Sequence, residues 1–155
     1  VGALAVNNKI AFHTRAPRFE KASIGGKVVV VGGIREKDQL LFFIDIGSPL
    51  CRSVVQTVKK VAGEESADLV FISDGGILDQ HLDFYRRSTL MPCDYLISEE
   101  IGQAYGIGKV PYAVLIGAHG KIITFGIVNN REHIESMFQA REDGVGSLQE
   151  YFKKQ

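Results

Sequence analysis

Apolar runs alternate with glycine-rich breaks along this chain, and the breaks sort the runs into strands and helices. Val28-Val29-Val30-Val31 is β-branched throughout, entered through Gly25-Gly26 and closed by Gly32-Gly33, and predicts a short strand. Leu40-Leu41-Phe42-Phe43-Ile44 is apolar without alternation, the pattern of a central strand covered on both faces. It stops at Gly47-Ser48-Pro49. Cys51, Val54, Val55, Val58 and Val61 then recur at intervals of three and four, which is one apolar helix face. Pro49 suits the first helical position, Ser48 the cap before it, and Gly63 the close.

Leu69-Val70-Phe71-Ile72 predicts the next buried strand. Ser73-Asp74-Gly75-Gly76 leads from it into a helix with Leu78, Leu82 and Tyr85 on one side. Pro92 to Ile97 reads as an edge strand, and Ser98-Glu99-Glu100 opens a brief helix ended by Gly106-Ile107-Gly108. Tyr112–Ile116 and Lys121–Phe125 form strands joined by the short loop Ala118-His119-Gly120. Asn130 caps a final helix carrying Ile134, Met137 and Phe138, and Leu148 to Phe152 reads as a docking helix. Residues 1–20 read as an irregular arm ending in Ala16-Pro17-Arg18-Phe19. The order is strand, helix, strand, then a hairpin, then a helix. That is an α/β sandwich around a mixed sheet, parallel in its first half and antiparallel in its second.

Composition narrows the partners. The chain has 155 residues, 45% apolar and 23% charged, with no internal repeat or dividing linker, so one core is expected. Lysine plus arginine and aspartate plus glutamate both count 18. A neutral domain has no electrostatic reason to seek nucleic acid or an anionic membrane surface, which leaves proteins or small molecules recognised by shape. Two cysteines, Cys51 and Cys93, are too few for a disulfide-stapled scaffold. His13, His81, His119 and His133 are scattered without ligand spacing, and each reads as a surface or cap residue; neither metal nor cofactor is expected. No apolar run approaches the roughly 18 residues of a membrane span. The start at Val1, without methionine, reads as a shortened chain whose signal or anchor segment has been removed.

The candidate chemistry gathers at the strand-to-helix junction 47–52. A sulfur at Cys51 sits in the first helical turn, where free N–H groups and the macrodipole favour a thiolate. A group three residues earlier, at the cap, lies beside that sulfur. Two cysteines there would make a dithiol whose exposed member attacks and whose second member resolves. Here the first position is Ser48, which cannot form a disulfide. Alone, Cys51 also fits an inert packed thiol. Val110-Pro111 stands immediately before a central strand, where proline is otherwise unwelcome. An X-Pro bond at that place is either a cis turn that frees a backbone edge or an ordinary trans loop.

These stretches resemble the redoxin branch of the thioredoxin-like proteins, in order: Ala16-Pro17-Arg18-Phe19, the strand ending at Ile44, Ser48-Pro49-Leu50-Cys51, and Gly106 through Ile116. The stretch Gly126 to Phe138 is narrower and resembles the MauD group, accessory proteins encoded with methylamine dehydrogenase. The resemblance implies a thioredoxin fold over residues 16–155 with an N-terminal redoxin-type extension, and residues 1–15 as an arm following a membrane anchor. It implies a thiol–disulfide oxidoreductase or isomerase facing the periplasm. Its partners would be a protein client with disulfides or thiols, such as the small subunit of the amine dehydrogenase, and a redox partner protein. In that family the turn reads Cys-Pro-x-Cys. Pro49 and Cys51 match, and Ser48 takes the nucleophile's place. Val110 and Pro111 map to the loop that holds the client's extended backbone, with Pro49 and Leu50 beside it.

Two further departures stand out. Phe42, six residues before Ser48, replaces an acid often buried in thioredoxins, and Gln56 replaces the proline that kinks the first helix. Ser48 itself fits an engineered substitution, a natural monothiol, or a domain that lost exchange and kept binding, and the first is favoured. Two other activities compete. A thiol peroxidase also places a hydroxyl residue three before its reactive cysteine, but needs a proline where this chain has Ile44. A binding module would use the apolar surround of Pro49, Leu50, Val110 and Tyr112 to hold a client without exchange. Cys93 reads as a bystander, and Arg86-Arg87 and the Arg131–Glu135 stretch as solvated surface.

Overall fold

A computed structural model describes residues 7–143. Its elements in chain order are β1 (Phe19–Ala22), β2 (Val28–Val31), β3 (Gln39–Ile44), α1 (Pro49–Glu64), β4 (Asp68–Ser73), α2 (Leu78–Arg87), β5 (Asp94–Ile97), α3 (Glu99–Ala104), β6 (Tyr112–Ile116), β7 (Ile122–Ile127) and α4 (Arg131–Asp143). The main sheet has the order β5-β4-β3-β6-β7. β3, β4 and β5 run parallel, while β6 is antiparallel to both β3 and β7. The docking helix expected over Leu148 to Phe152 lies outside the described residues.

Every residue of β3 is buried, as its unbroken apolar run requires of the middle strand. Alternate side chains feed two cores. Leu40, Phe42 and Ile44 join Phe71 and Leu115 under α1, α2 and α4. Leu41, Phe43, Val70 and Ile72 join Val114 under α3 and the β1–β2 ribbon. α1 is one unbroken helix through Gln56 to Glu64, one residue past the expected glycine stop.

Three expectations need correction. Val28–Val31 is the short strand expected, but it pairs with Phe19–Ala22 in an antiparallel ribbon separate from the main sheet, so the arm is not irregular to residue 20. The ribbon forms because Val29 and Val31 have an apolar core to cover. The arm before it is also docked. Ile10 is buried, Asn7 donates to the Tyr105 carbonyl, and Thr14 and Ile122 are joined by a backbone hydrogen bond.

The buried face of α2 is likewise not the one expected. Leu78 and Leu82 are exposed, and His81 and Phe84 point inward. His81, expected at the surface, is fully buried because both ring nitrogens are satisfied: Nδ1 bonds the Tyr95 hydroxyl and Nε2 the Gly75 carbonyl, each at 2.7 Å. A carbonyl can only accept, so Nε2 carries the proton and Nδ1 accepts from Tyr95.

Candidate functional site

The junction between β3 and α1 is a tight turn. Ser48 N–H donates to the Asp45 carbonyl, and the Asp45 carboxylate accepts from Gly47 N–H at 2.8 Å. Ser48 is the N-cap, with extended backbone and its hydroxyl accepting from Cys51 N–H at 3.3 Å. Pro49 opens the helix, where its missing N–H costs nothing. Pro49 and Leu50 are exposed and Ser48 is half-buried. Cys51 is completely buried, and the backbone N–H of Asp45 donates to its Sγ at 3.5 Å. The sulfur therefore sits behind the turn, with position 48 in front of it.

The β3–β6 pairing decides what faces this turn. Phe43 is opposite Tyr112, so the antiparallel register carries Pro111 and Val110 beside Ile44 and Asp45. The Val110–Pro111 peptide is cis, Pro111 is buried, and its carbonyl accepts from Val128 N–H at 3.1 Å. Val110 is half-buried and packs against the core cluster that contains Cys51. Ser48, Pro49, Leu50, Cys51, Val110 and Pro111 thus share one end of the sheet.

Cys93 does not join them. It precedes β5, whose Asp94 pairs with Val70, which in turn pairs with Leu41. Cys93 therefore lies near the entry end of the parallel strands and Cys51 beyond their exit, separated by about 10 Å or more at roughly 3.3 Å per residue. That separation forbids a bridge between them. Both thiols are free. Burial pushes the Cys93 thiol up from its ordinary value; Lys59 pulls it down and Asp94 pushes it up.

Phe42 is fully buried in the cluster that holds Cys51, so a ring fills the space where the resemblance leads one to look for an acid. The full burial of Cys51 also leaves its sulfur no open approach for a peroxide. Among the described residues no group of three His, Cys, Asp or Glu is arranged to hold a metal, and no helix is long and apolar enough to cross a membrane. Sequence reasoning missed Asp45, whose N–H meets the sulfur through the backbone. Because the contact comes from the backbone, the residue type at position 45 carries no signal of it.

Comparison with known proteins fits this arrangement. The chain is 34% identical to the methylamine utilization protein MauD of Paracoccus versutus, over 97% of this chain and 76% of that one. This chain belongs to the MauD family. No protein-family model matches it. Among solved structures, a thiol:disulfide interchange protein of the thioredoxin family from Chlorobium tepidum TLS superposes with a TM-score of 0.69. Its identity is 19%, over 84% of this chain and 97% of that one. A peroxiredoxin-like protein from Aquifex aeolicus gives a TM-score of 0.70 at 15% identity, over 87% and 90%. The fold of this MauD relative is thus the thioredoxin fold, and fold alone does not separate exchange from peroxidase chemistry.

Proposed function

We propose that this MauD-family chain is a thiol–disulfide exchange domain of methylamine utilization in which Ser48 occupies the nucleophile's position. The observation that carries the reading is the meeting of the capped 48–51 turn with the Val110–Pro111 loop at one end of the sheet. A client segment lying in extended form along that loop brings its sulfur to position 48. A thiolate there attacks one sulfur of a client disulfide, forming a mixed disulfide and releasing the other client sulfur as thiolate. Cys51 then attacks the mixed disulfide, closes an internal bridge and releases the second client thiolate, so the client gains the two electrons the domain loses. The Asp45 N–H, which donates to Cys51 Sγ, holds that sulfur in place behind position 48.

A serine hydroxyl completes none of these steps. The chain as it stands therefore binds a client and does not exchange its disulfide. The client is a protein bearing disulfides or thiols, such as the small subunit of methylamine dehydrogenase, met in the periplasm together with a redox partner protein. Ser48→Cys is expected to produce disulfide exchange on a scrambled-disulfide protein, with no comparable activity in the parent chain. A folded Ser48→Cys variant that forms its internal bridge yet leaves the scrambled protein unchanged would falsify the exchange reading.

A further inference from the structure

A cavity of about 260 Å³ opens beside the 48–51 turn, between the exits of β3 and β4 and the first turn of α3. Its apolar lining includes Phe43, Ile72 and Ile107. Its polar lining is uneven: Asp45, Asp74 and Glu99 against one cation, Lys109. All four are exposed, and among the described residues none enters an ion pair. Asp45 accepts from Gly47 N–H, and Glu99 accepts from the Gln103 amide, so each carboxylate has a neutral hydrogen-bond partner at the groove. Asp68 on β4 and Asp83 on α2 are each paired with arginine, whereas Asp79 at the start of α2 is exposed and, among the described residues, enters no ion pair.

We propose that this groove selects client segments carrying a lysine or arginine close to the reactive cysteine. The inference rests on the exchange reading for the neighbouring turn and names the class of client that turn would serve. Val110 lines the cavity and also forms the loop against which the client lies. In an extended segment, alternate side chains point the same way. A side chain near the cysteine can therefore enter the cavity while the cysteine faces position 48. A long basic side chain fits both halves of the lining: its methylene stem covers Phe43, Ile72 and Ile107, and its charge remains at the wet rim among three carboxylates. Ser98 is 5% exposed and lines the same cavity. Its oxygen accepts from Ile101 N–H, which leaves the hydroxyl proton for a carbonyl of the client backbone. An acidic side chain would meet a net charge of the wrong sign, because Lys109 answers only one of the three carboxylates.

Two labelled peptides, identical except for Lys or Glu two residues from a central cysteine, test this with the chain as it stands. The Lys peptide is expected to bind about tenfold tighter at low ionic strength, as judged by fluorescence anisotropy, the scale of a few exposed ion pairs. The preference should shrink toward parity in high salt and in the Asp74→Asn, Glu99→Gln double variant. Equal affinities, no binding, or tighter binding of the Glu peptide overturns the groove assignment. The same peptides, as disulfides, are then offered to Ser48→Cys. Exchange with both at equal rates and without a binding preference removes the groove and leaves the exchange reading standing. A retained Lys preference with no exchange does the reverse.

Discussion

Oxygen and sulfur at position 48 differ as hydrogen-bond acceptors as well as in redox chemistry. Ser48 Oγ accepts the Cys51 N–H at the start of α1, and a thiol accepts more weakly. Ser48→Ala should lower stability by about 0.5–2 kcal/mol in urea denaturation, the usual cost of a lost N-cap. An Ala variant as stable as the parent would mean that the 3.3 Å bond contributes nothing. The same scale governs His81. Replacing it with leucine strands the buried Tyr95 hydroxyl, at about 1–3 kcal/mol, while the carbonyl of exposed Gly75 can turn to water. His81→Gln, which can restore one bond, should recover part of that loss. Cys93 makes a kinetic prediction. Burial raises its thiol's pKa, so less thiolate is present at pH 8 and iodoacetamide should alkylate it more slowly than a free cysteine. Alkylation at the rate of an exposed thiol would show that the site opens readily.

Among the elements, α1 was legible because its signals are local: a capping residue, a proline and a valine stripe. α2 was not. Its leucines suggested one face, yet Phe84 packs beside Tyr95 and the His81 bonds turn the helix that way. Phe84→Ala should therefore cost about 3–5 kcal/mol. Leu82→Ala should change stability by less than about 0.5 kcal/mol, as an exposed substitution does. Comparable losses for the two in a urea titration would restore the leucine face. β1 escaped notice because Phe-Glu-Lys-Ala carries no strand pattern of its own. It becomes a strand by pairing with the valines of β2, and the loop between them also reaches the outer edge of the main sheet, where Ile24 N–H donates to the Tyr95 carbonyl.

At the scale of the molecule, three tyrosines are buried, Tyr95 in one core and Tyr105 and Tyr112 in the other. Burial pushes both Tyr95 and Tyr105 well above the ordinary phenol value. Tyr105 also anchors the arm by donating to the Pro17 carbonyl. A raised folded-state pKa means that the native chain keeps phenol protons the unfolded chain would release. The stability this represents is whole below about pH 10 and is lost as pH rises beyond it. The urea midpoint should fall steeply above that value, and Tyr105→Phe should flatten the fall while losing the bond to Pro17. An unchanged alkaline slope in that variant would place the titration elsewhere.

Apart from β1, the order of strands and helices, the capped start of α1 and the sulfur in its first turn were determined by the sequence itself. They depend on apolar period, glycine breaks and residues at most four apart. The tertiary structure decided the rest. Antiparallel pairing of β3 with β6 brings Val110–Pro111 to the 48–51 turn, parallel pairing sends Cys93 to the other end, and a tyrosine on β5 draws His81 inward. Each of these is a contact between residues distant in the chain. Register and buried hydrogen bonds fix them, and neither leaves a mark in the local pattern of either partner.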